Sequence, residues 1–266
     1  MVTLRAPDHH GLSIQEPLSK TMEKKKQDRL YQVDTVPEDF DFSERVVEVF
    51  DDMLDRSIPH YHEVIKGIAT LMDIHLEAGD RVCDLGCATG TPLLEFSRLL
   101  QHKDLQFLGI DNSLPMLEKA RLKTELFSHT ENISYRQADI TSLELPGTGA
   151  FILNYTLQFI RPLVRPLLLK RLFDNLRPGG LLFLSEKTVE EQKMLNRSFI
   201  EVYHRFKREK GYSDLEIAKK REALENILIP FSAEENQKLL TDAGFDGLSV
   251  FFQWFNFCSI VAVKPR

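Results

Sequence analysis

The stretch Asp84-Leu85-Gly86-Cys87-Ala88-Thr89-Gly90 decides the fold. It continues the apolar run that starts at Arg81-Val82-Cys83 and precedes a helical pattern from Thr91 to Leu100. It is therefore the turn between a strand and a helix. Glycines at such a turn permit a tight reversal and let the backbone approach a ligand closely. The next strand, Leu105 to Ile110, runs into Asp111-Asn112. A carboxylate at that strand end can accept hydrogen bonds from both hydroxyls of a ribose. The two features together point to a nucleoside-type ligand at the carboxyl edge of a sheet.

Outward from this turn the chain alternates strands with helices. Ser113 to Phe127 has a helical pattern, Ile133 to Ala138 and Ala150 to Tyr155 read as strands, Val164 to Leu176 as a helix, and Leu181 to Ser185 as a strand. Short continuous apolar strands are expected where both faces of a parallel sheet are covered. Ser43 to Arg56 and the stretch through Val64, Ile68, Leu71 and Met72 supply N-terminal helices, broken at Ile58-Pro59. A polar, mostly helical insertion occupies residues 187–230, followed by a helix (Ser232 to Ala243) and strands at Leu248 to Gln253 and Phe255 to Val263. The expected fold is a doubly wound α/β domain over residues 40–266 with a mostly parallel seven-stranded sheet. Residues 1–39, with Lys24-Lys25-Lys26 and no sustained apolar period, read as a mobile arm.

The loop chemistry narrows the ligand. A dinucleotide fingerprint places glycines so that a pyrophosphate lies on the helix N-terminus, and the Gly86-Cys87-Ala88-Thr89-Gly90 spacing misses it. Asp84 would repel a pyrophosphate but suits an ammonium. S-adenosyl-L-methionine (SAM) carries an ammonium and a sulfonium and no phosphate, and the loop matches the SAM fingerprint with Ala88 in place of its middle glycine. Glycines serving only a tight turn are the plain alternative; the paired carboxylates Asp84 and Asp111 favour SAM. Asp139-Ile140 and Asn154 fall at the next strand ends, where they can meet the adenine and the reacting end of the ligand, although each could equally cap a turn.

Composition excludes other classes. Lys plus Arg total 34 against 40 Asp plus Glu, a formal net charge of −6, which argues against direct nucleic-acid binding. Three cysteines, Cys83, Cys87 and Cys258, make no disulfide framework and no metal-ligand spacing. No apolar run is long enough for a membrane span and no signal pattern opens the chain, so a cytoplasmic protein without a metal is expected.

The insertion is locally basic, with eight Lys or Arg against four Asp or Glu from Arg197 to Arg221. Ser213-Asp214-Leu215-Glu216 is a capping box, and the helix it opens places Arg221 on one face with Ile217, Leu224 and Leu228. An arginine in an apolar stripe either snorkels to solvent or meets an anion. Tyr61 reads equally as a helix staple and as a lid over the ligand. His204 and Lys187 have no partner that the sequence fixes.

DLGCATG (84–90), GIDNSLPMLEKAR (109–121), LNYTLQFI (153–160), GYSDLEIAKKR (211–221) and FQWFNF (252–257) together resemble the carboxy-S-adenosyl-L-methionine synthase family, in order and over roughly residues 40–264. The resemblance implies a SAM-methyltransferase-like Rossmann fold in a homodimer. It implies that Tyr61, Gly86, Cys87, Ala88, Asp111, Asn112, Asp139, Ile140 and Asn154 contact SAM or carboxy-SAM, and that Arg221 binds the added carboxylate, with its helix reaching toward the partner's site. It also implies prephenate as carboxyl donor, phenylpyruvate as product, and delivery of carboxy-SAM to a separate enzyme that modifies the wobble uridine of tRNA. The sulfonium acidifies the methyl protons, so a base can open that carbon to carbon dioxide released from the donor in a dry pocket. The family loop reads Gly-Cys-Ser; Ala88 departs from it, with one hydrogen bond of about 0.5–1.5 kcal/mol at stake. A true methyltransferase on the same scaffold, or a SAM-binding regulatory module without turnover, are the alternatives. The mass of the retained ligand separates them.

Overall fold

The computed structural model describes residues 27, 28, 30, 44–127 and 130–266. The expected arm, residues 1–39, lies outside these except at Gln27, Asp28 and Leu30, and of the three Asp28 is buried. In chain order the elements are α1 (Glu44–Ser57), α2 (Tyr61–His75), β1 (Arg81–Leu85), α3 (Thr91–Leu99), β2 (Gln106–Asp111) and α4 (Leu114–Glu125). They continue with β3 (Ile133–Gln137), β4 (Thr148–Asn154), α5 (Arg165–Asn175) and β5 (Leu176–Lys187). The insertion contributes α6 (Lys193–Glu209) and α7 (Asp214–Leu224), and α8 (Ala233–Ala243), β6 (Gly247–Trp254) and β7 (Phe257–Val263) complete the domain.

The strands form one seven-stranded sheet in the order β3-β2-β1-β4-β5-β7-β6. Strands β1 to β5 pair in parallel, and β7 pairs antiparallel with both β5 and β6. The order reverses between β1 and β4, which opens a crevice at their carboxyl ends.

Period-two alternation divides the core. Val82, Ala150 and Ile152 pack with Val64, Ile68 and Met72 of α2 on one face. Cys83, Leu85, Phe151 and Leu153 pack with Leu168, Leu169 and Leu172 of α5 and Leu240 of α8 on the other. Each such large apolar side chain, fully buried, contributes roughly 1.5–3 kcal/mol. A third cluster fixes α1 over α4 through Val46, Val47, Phe50, Met53 and Met116.

Most element boundaries shift by a residue or two from the sequence expectation, and two differences matter most. Strand β5 extends from Leu176 to Lys187, because residues 176 and 181–187 all find partners on β4 or β7. Glu186 and Lys187 therefore belong to the sheet, and the insertion begins after them. Phe255, expected in the last strand, has φ 46° and lies in the turn between β6 and β7. Phe255 packs edge-on against Trp254 and Phe199, contacts that help hold the turn in that conformation.

Candidate active site

A cavity of about 400 Å3 opens at the carboxyl ends of β1, β2 and β4 and is roofed by α1, α2, α6 and α7. The glycine loop forms its floor. Gly86 has φ 78°, and a Cβ there would stand 2.5 Å from Thr156 Cγ2, so the two loops meet only because residue 86 has no side chain. Ala88 has φ 46°, a left-handed conformation that alanine adopts at a cost of about 1–2 kcal/mol. Its N–H donates to Asp111 Oδ2 at 2.9 Å, and the Ser113 N–H donates to Asp111 Oδ1 at 2.8 Å. These bonds hold the Asp111 carboxylate at the cavity wall.

Asp84, at the end of β1, is buried, and its Oδ2 has no hydrogen-bond partner. Burial, and secondly the charge of Asp111, push its carboxyl up to about 7. Asn154, at the end of β4, leaves both amide atoms without a partner. Buried polar groups are normally satisfied, so orphaned atoms lining a cavity mark where a ligand's polar groups belong. Asp84 and Asn154 fit an amino-acid group, Asp111 a ribose, and the half-apolar wall of Ala138, Asp139 and Ile140 a planar base. Asp139 also caps the short 3-10 turn Ile140–Ser142, accepting from the Thr141 N–H at 2.8 Å. Tyr61 is buried at the start of α2 with its ring 6.3 Å from that of Tyr155. It packs the helix start and also lines the cavity.

The expected residues Tyr61, Gly86, Cys87, Ala88, Asp111, Asn112, Asp139, Ile140 and Asn154 all line this one cavity. Arg221 does not. It is exposed on α7, outside the cavity of its own chain. The capping box is present, with Ser213 and Glu216 bonding reciprocally, but the inward residues of the helix are Glu216, Ile217 and Lys220. The expectation that Arg221 shares the inward face is thus corrected: the helix turns about 100° per residue, and Lys220 takes the cavity side. His204 is likewise outside the cavity lining.

Three lysines that the sequence did not single out as a group also line the cavity. They are Lys187 at the end of β5, Lys207 in the last turn of α6, and Lys220. The Nζ atoms of Lys187 and Lys207 stand 5.1 and 4.5 Å from the ring centroid of Tyr203. Lys220 Nζ donates to Ser57 Oγ at 2.9 Å and lies 3.5 Å from Asp28 Oδ2. Burial holds Lys220 down at about 8, against the opposing pull of Asp28. Beneath the cavity, the buried Glu186 accepts the N–H groups of Leu157 and Gln158 at 2.8 and 2.9 Å and so fixes the loop after β4. In that loop Tyr155 adopts φ 62°. No periodicity announces Glu186, because in the sequence it ends an apolar run like any strand-terminal polar residue.

Cys83, Cys87 and Cys258 are buried free thiols, each raised by burial. Among the described residues, no group of three or more His, Cys, Asp or Glu is placed to hold a metal ion, and no helix is long and apolar enough to cross a membrane.

Residues 82–180 match the family described as a methyltransferase domain. The chain is 56% identical over 241 residues to the carboxy-S-adenosyl-L-methionine synthase of Desulfotalea psychrophila, covering 91% of this chain and 98% of that protein. It is 46% identical to the protein of the same description from Wolinella succinogenes, over 85% of this chain and 93% of the relative. The fold is shared with solved SAM-dependent methyltransferases. Human N-acetylserotonin methyltransferase in complex with SAM superposes with a TM-score of 0.56 at 18% identity, over 84% of this chain and 57% of that one. A SAM-dependent methyltransferase from Aquifex aeolicus gives 0.56 at 18% identity, over 84% of this chain and all of the other (100%).

Proposed function

The chain belongs to the carboxy-S-adenosyl-L-methionine synthase family, and from that premise we propose how its cavity carries out the synthesis. The enzyme makes carboxy-SAM from SAM. In the reading favoured here the donor is prephenate, which leaves as phenylpyruvate and water once its ring carboxyl has moved to the methyl carbon of SAM and that methyl has lost one proton.

The carrying observation is the pair of orphaned groups, Asp84 Oδ2 and the Asn154 amide, in a roofed cavity that three lysines also line. Asp84 is assigned to the ammonium of SAM, Asn154 to its amino-acid end, Asp111 to the ribose hydroxyls, and Asp139 and Ile140 to the adenine. A carboxylate in an apolar site gains strongly from an ammonium, because the pairing replaces a desolvation cost with a charge-assisted bond. The helical roof excludes water, which protects a transient carbon dioxide from hydration.

Arg221 is assigned to the new carboxylate of a neighbouring protomer's product. It is exposed on α7, and so are Met194, Leu195 and Ile200 of α6 and Leu215 of α7. An apolar face beside an unused guanidinium supports a homodimer whose sites are completed in trans. In this reading carboxy-SAM then passes to a separate cytoplasmic enzyme that modifies tRNA wobble uridine.

Incubation of the protein with SAM and prephenate, followed by mass spectrometry, tests the donor. A ligand heavier than SAM by one carbon dioxide, with phenylpyruvate in equal amount, is expected. SAM recovered unchanged, or its demethylated form alone, would sink the donor reading.

A further inference from the structure

The charged groups that line the cavity fall into two sets. Asp84 lies close enough to Asp111 to feel its charge, and Lys207 close enough to Lys187 and Lys220 to feel theirs. Of the three lysines, Lys220 is accounted for by Asp28, Ser57 and Tyr212, with Nζ to Tyr212 Oη at 3.3 Å. The neighbouring Arg56 is held by Asp52 at 3.4 Å and by the carbonyls of Asp28 and Lys210. Lys187 and Lys207 are different. Neither has a carboxylate within 4.0 Å among the described residues, and both flank the same ring, that of Tyr203.

Tyr203 is itself fixed. Its hydroxyl donates to the Ser57 carbonyl at 2.9 Å and its ring packs on Phe257 at 5.1 Å. A cation over an aromatic face gains at most about 2 kcal/mol, well short of the several kcal/mol by which burial penalises an unpaired ammonium. Burial lowers the ionisation of Lys187, and burial together with the charges of Lys220 and Lys187 lowers that of Lys207 far below the usual lysine range. A buried and a half-buried amine in one cavity, neither in ion-pair contact with a carboxylate among the described residues, are a costly arrangement. A ligand carrying two carboxylates would offset that cost, one for each amine.

We propose that Lys187 and Lys207, which both approach the Tyr203 ring, are the receptor for a dicarboxylate co-substrate and set the enzyme's preference for a donor with two carboxylates. This rests on the donor reading above. Asp28 engages Lys220 and keeps it out of the receptor, so a dianion meets two amines rather than three, and its carboxylates favour their protonated forms.

Replacement of each lysine by methionine, unbranched and similar in length but uncharged, tests this. Three quantities decide the outcome: SAM affinity by calorimetry, prephenate affinity for protein loaded with S-adenosylhomocysteine, and KM for prephenate in carboxy-SAM formation. Lys187→Met and Lys207→Met should each weaken prephenate about 10- to 100-fold, the worth of one charge-assisted hydrogen bond, and leave SAM affinity nearly unchanged. Lys187→Arg, which keeps the charge, should recover most of the loss and so separates charge from folding. An equal loss of SAM and prephenate would overturn the receptor, since the lysines would then hold SAM itself. Conversion by the wild type with a KM indifferent to both lysines would overturn the receptor and leave the donor reading intact. Lysine-dependent binding of prephenate without turnover would uphold the receptor and remove the donor reading. A wild type that neither binds nor converts prephenate would remove both.

Discussion

The Tyr212 hydroxyl donates a 2.6 Å hydrogen bond to the carboxylate of Asp28, and that carboxylate also faces Lys220 across 3.5 Å. An acidic residue from before the first helix is thereby part of the cavity's charge balance. Asp28→Asn keeps the shape and removes the charge, leaving Lys220 buried without an anion. A loss of about 1–3 kcal/mol is expected, at the low end because the amine can give up its proton. Thermal unfolding at pH 7 measures it, and an unchanged melting temperature would show that the contact contributes nothing.

The raised carboxyl of Asp84 makes both stability and ligand binding depend on pH. Its folded value of about 7 lies above its unfolded one, so the folded form binds the proton more tightly. That contribution is fully present below the unfolded value, near pH 4, and is lost as pH rises through about 7. The ligand-free protein should thus lose stability from this group between those limits, and Asp84→Asn should flatten that segment of the curve. SAM affinity should move the opposite way, weakening as pH falls through 7, because an ammonium needs the ionised carboxylate. A wild-type SAM affinity that is level from pH 5 to 8 would remove Asp84 from that role.

Ala88 offers a gain. Ala88→Gly relieves the left-handed strain of about 1–2 kcal/mol and gives back roughly 0.4–1 kcal/mol in unfolded-state entropy. A net stabilisation of about 0.5–1 kcal/mol should appear in denaturant unfolding, with SAM affinity retained because the N–H to Asp111 is unchanged. Ala88→Val should do the reverse, since a β-branched residue at φ 46° is severely strained.

Gly86→Ala places a Cβ 2.5 Å from Thr156 Cγ2 and should cost about 2 kcal/mol or more while reducing SAM binding. Thr156→Ala removes that γ-carbon and the hydroxyl, so the double variant should recover part of the loss. A double-mutant cycle reads the coupling directly, and strict additivity would show that the steric contact is not the cause.

Arg221→Ala should lower retention of carboxy-SAM far more than that of SAM. If the arginine serves the neighbouring protomer, inactive Arg221→Ala mixed with a protein disabled at Asp84 should regain activity in the mixed dimer, where one intact site can form. Mixtures as inactive as their components would place the arginine's role elsewhere.

Much of the site is legible in the sequence because strand ends in a parallel sheet are legible. Asp84, Asp111, Asp139 and Asn154 each end or follow an apolar run, and the topology brings such ends to one edge. The basic wall was hidden for a local reason. Helix α7 has only Ile217 as a buried apolar anchor, and residues three and four positions later, Lys220 and Arg221, are equally neighbours of it. Two adjacent cations then compete for one face, and tertiary contacts from Ser57, Tyr212 and Asp28 decide for Lys220. No spacing rule connects Lys187 and Lys207 either, because they come from a strand end and a helix end that meet only in the folded chain. The boundary of β5 was short for a similar reason. Glu186 and Lys187 are polar at its end, and only pairing with Cys258 and Phe257 shows that the strand continues through them.

That continuation of β5 constrains how the chain can vary. Successive side chains of a strand point to opposite faces, so Glu186 reaches the loop after β4 while Lys187 reaches the cavity. Deleting or inserting one residue within Leu181–Ser185 would exchange them, sending an acid into the basic wall and a base beneath the loop. Such a length change would invert the local polarity with both charged residues still present. Length variation among descendants of this sequence should therefore be absent from that stretch and collect in the segments beyond Thr188.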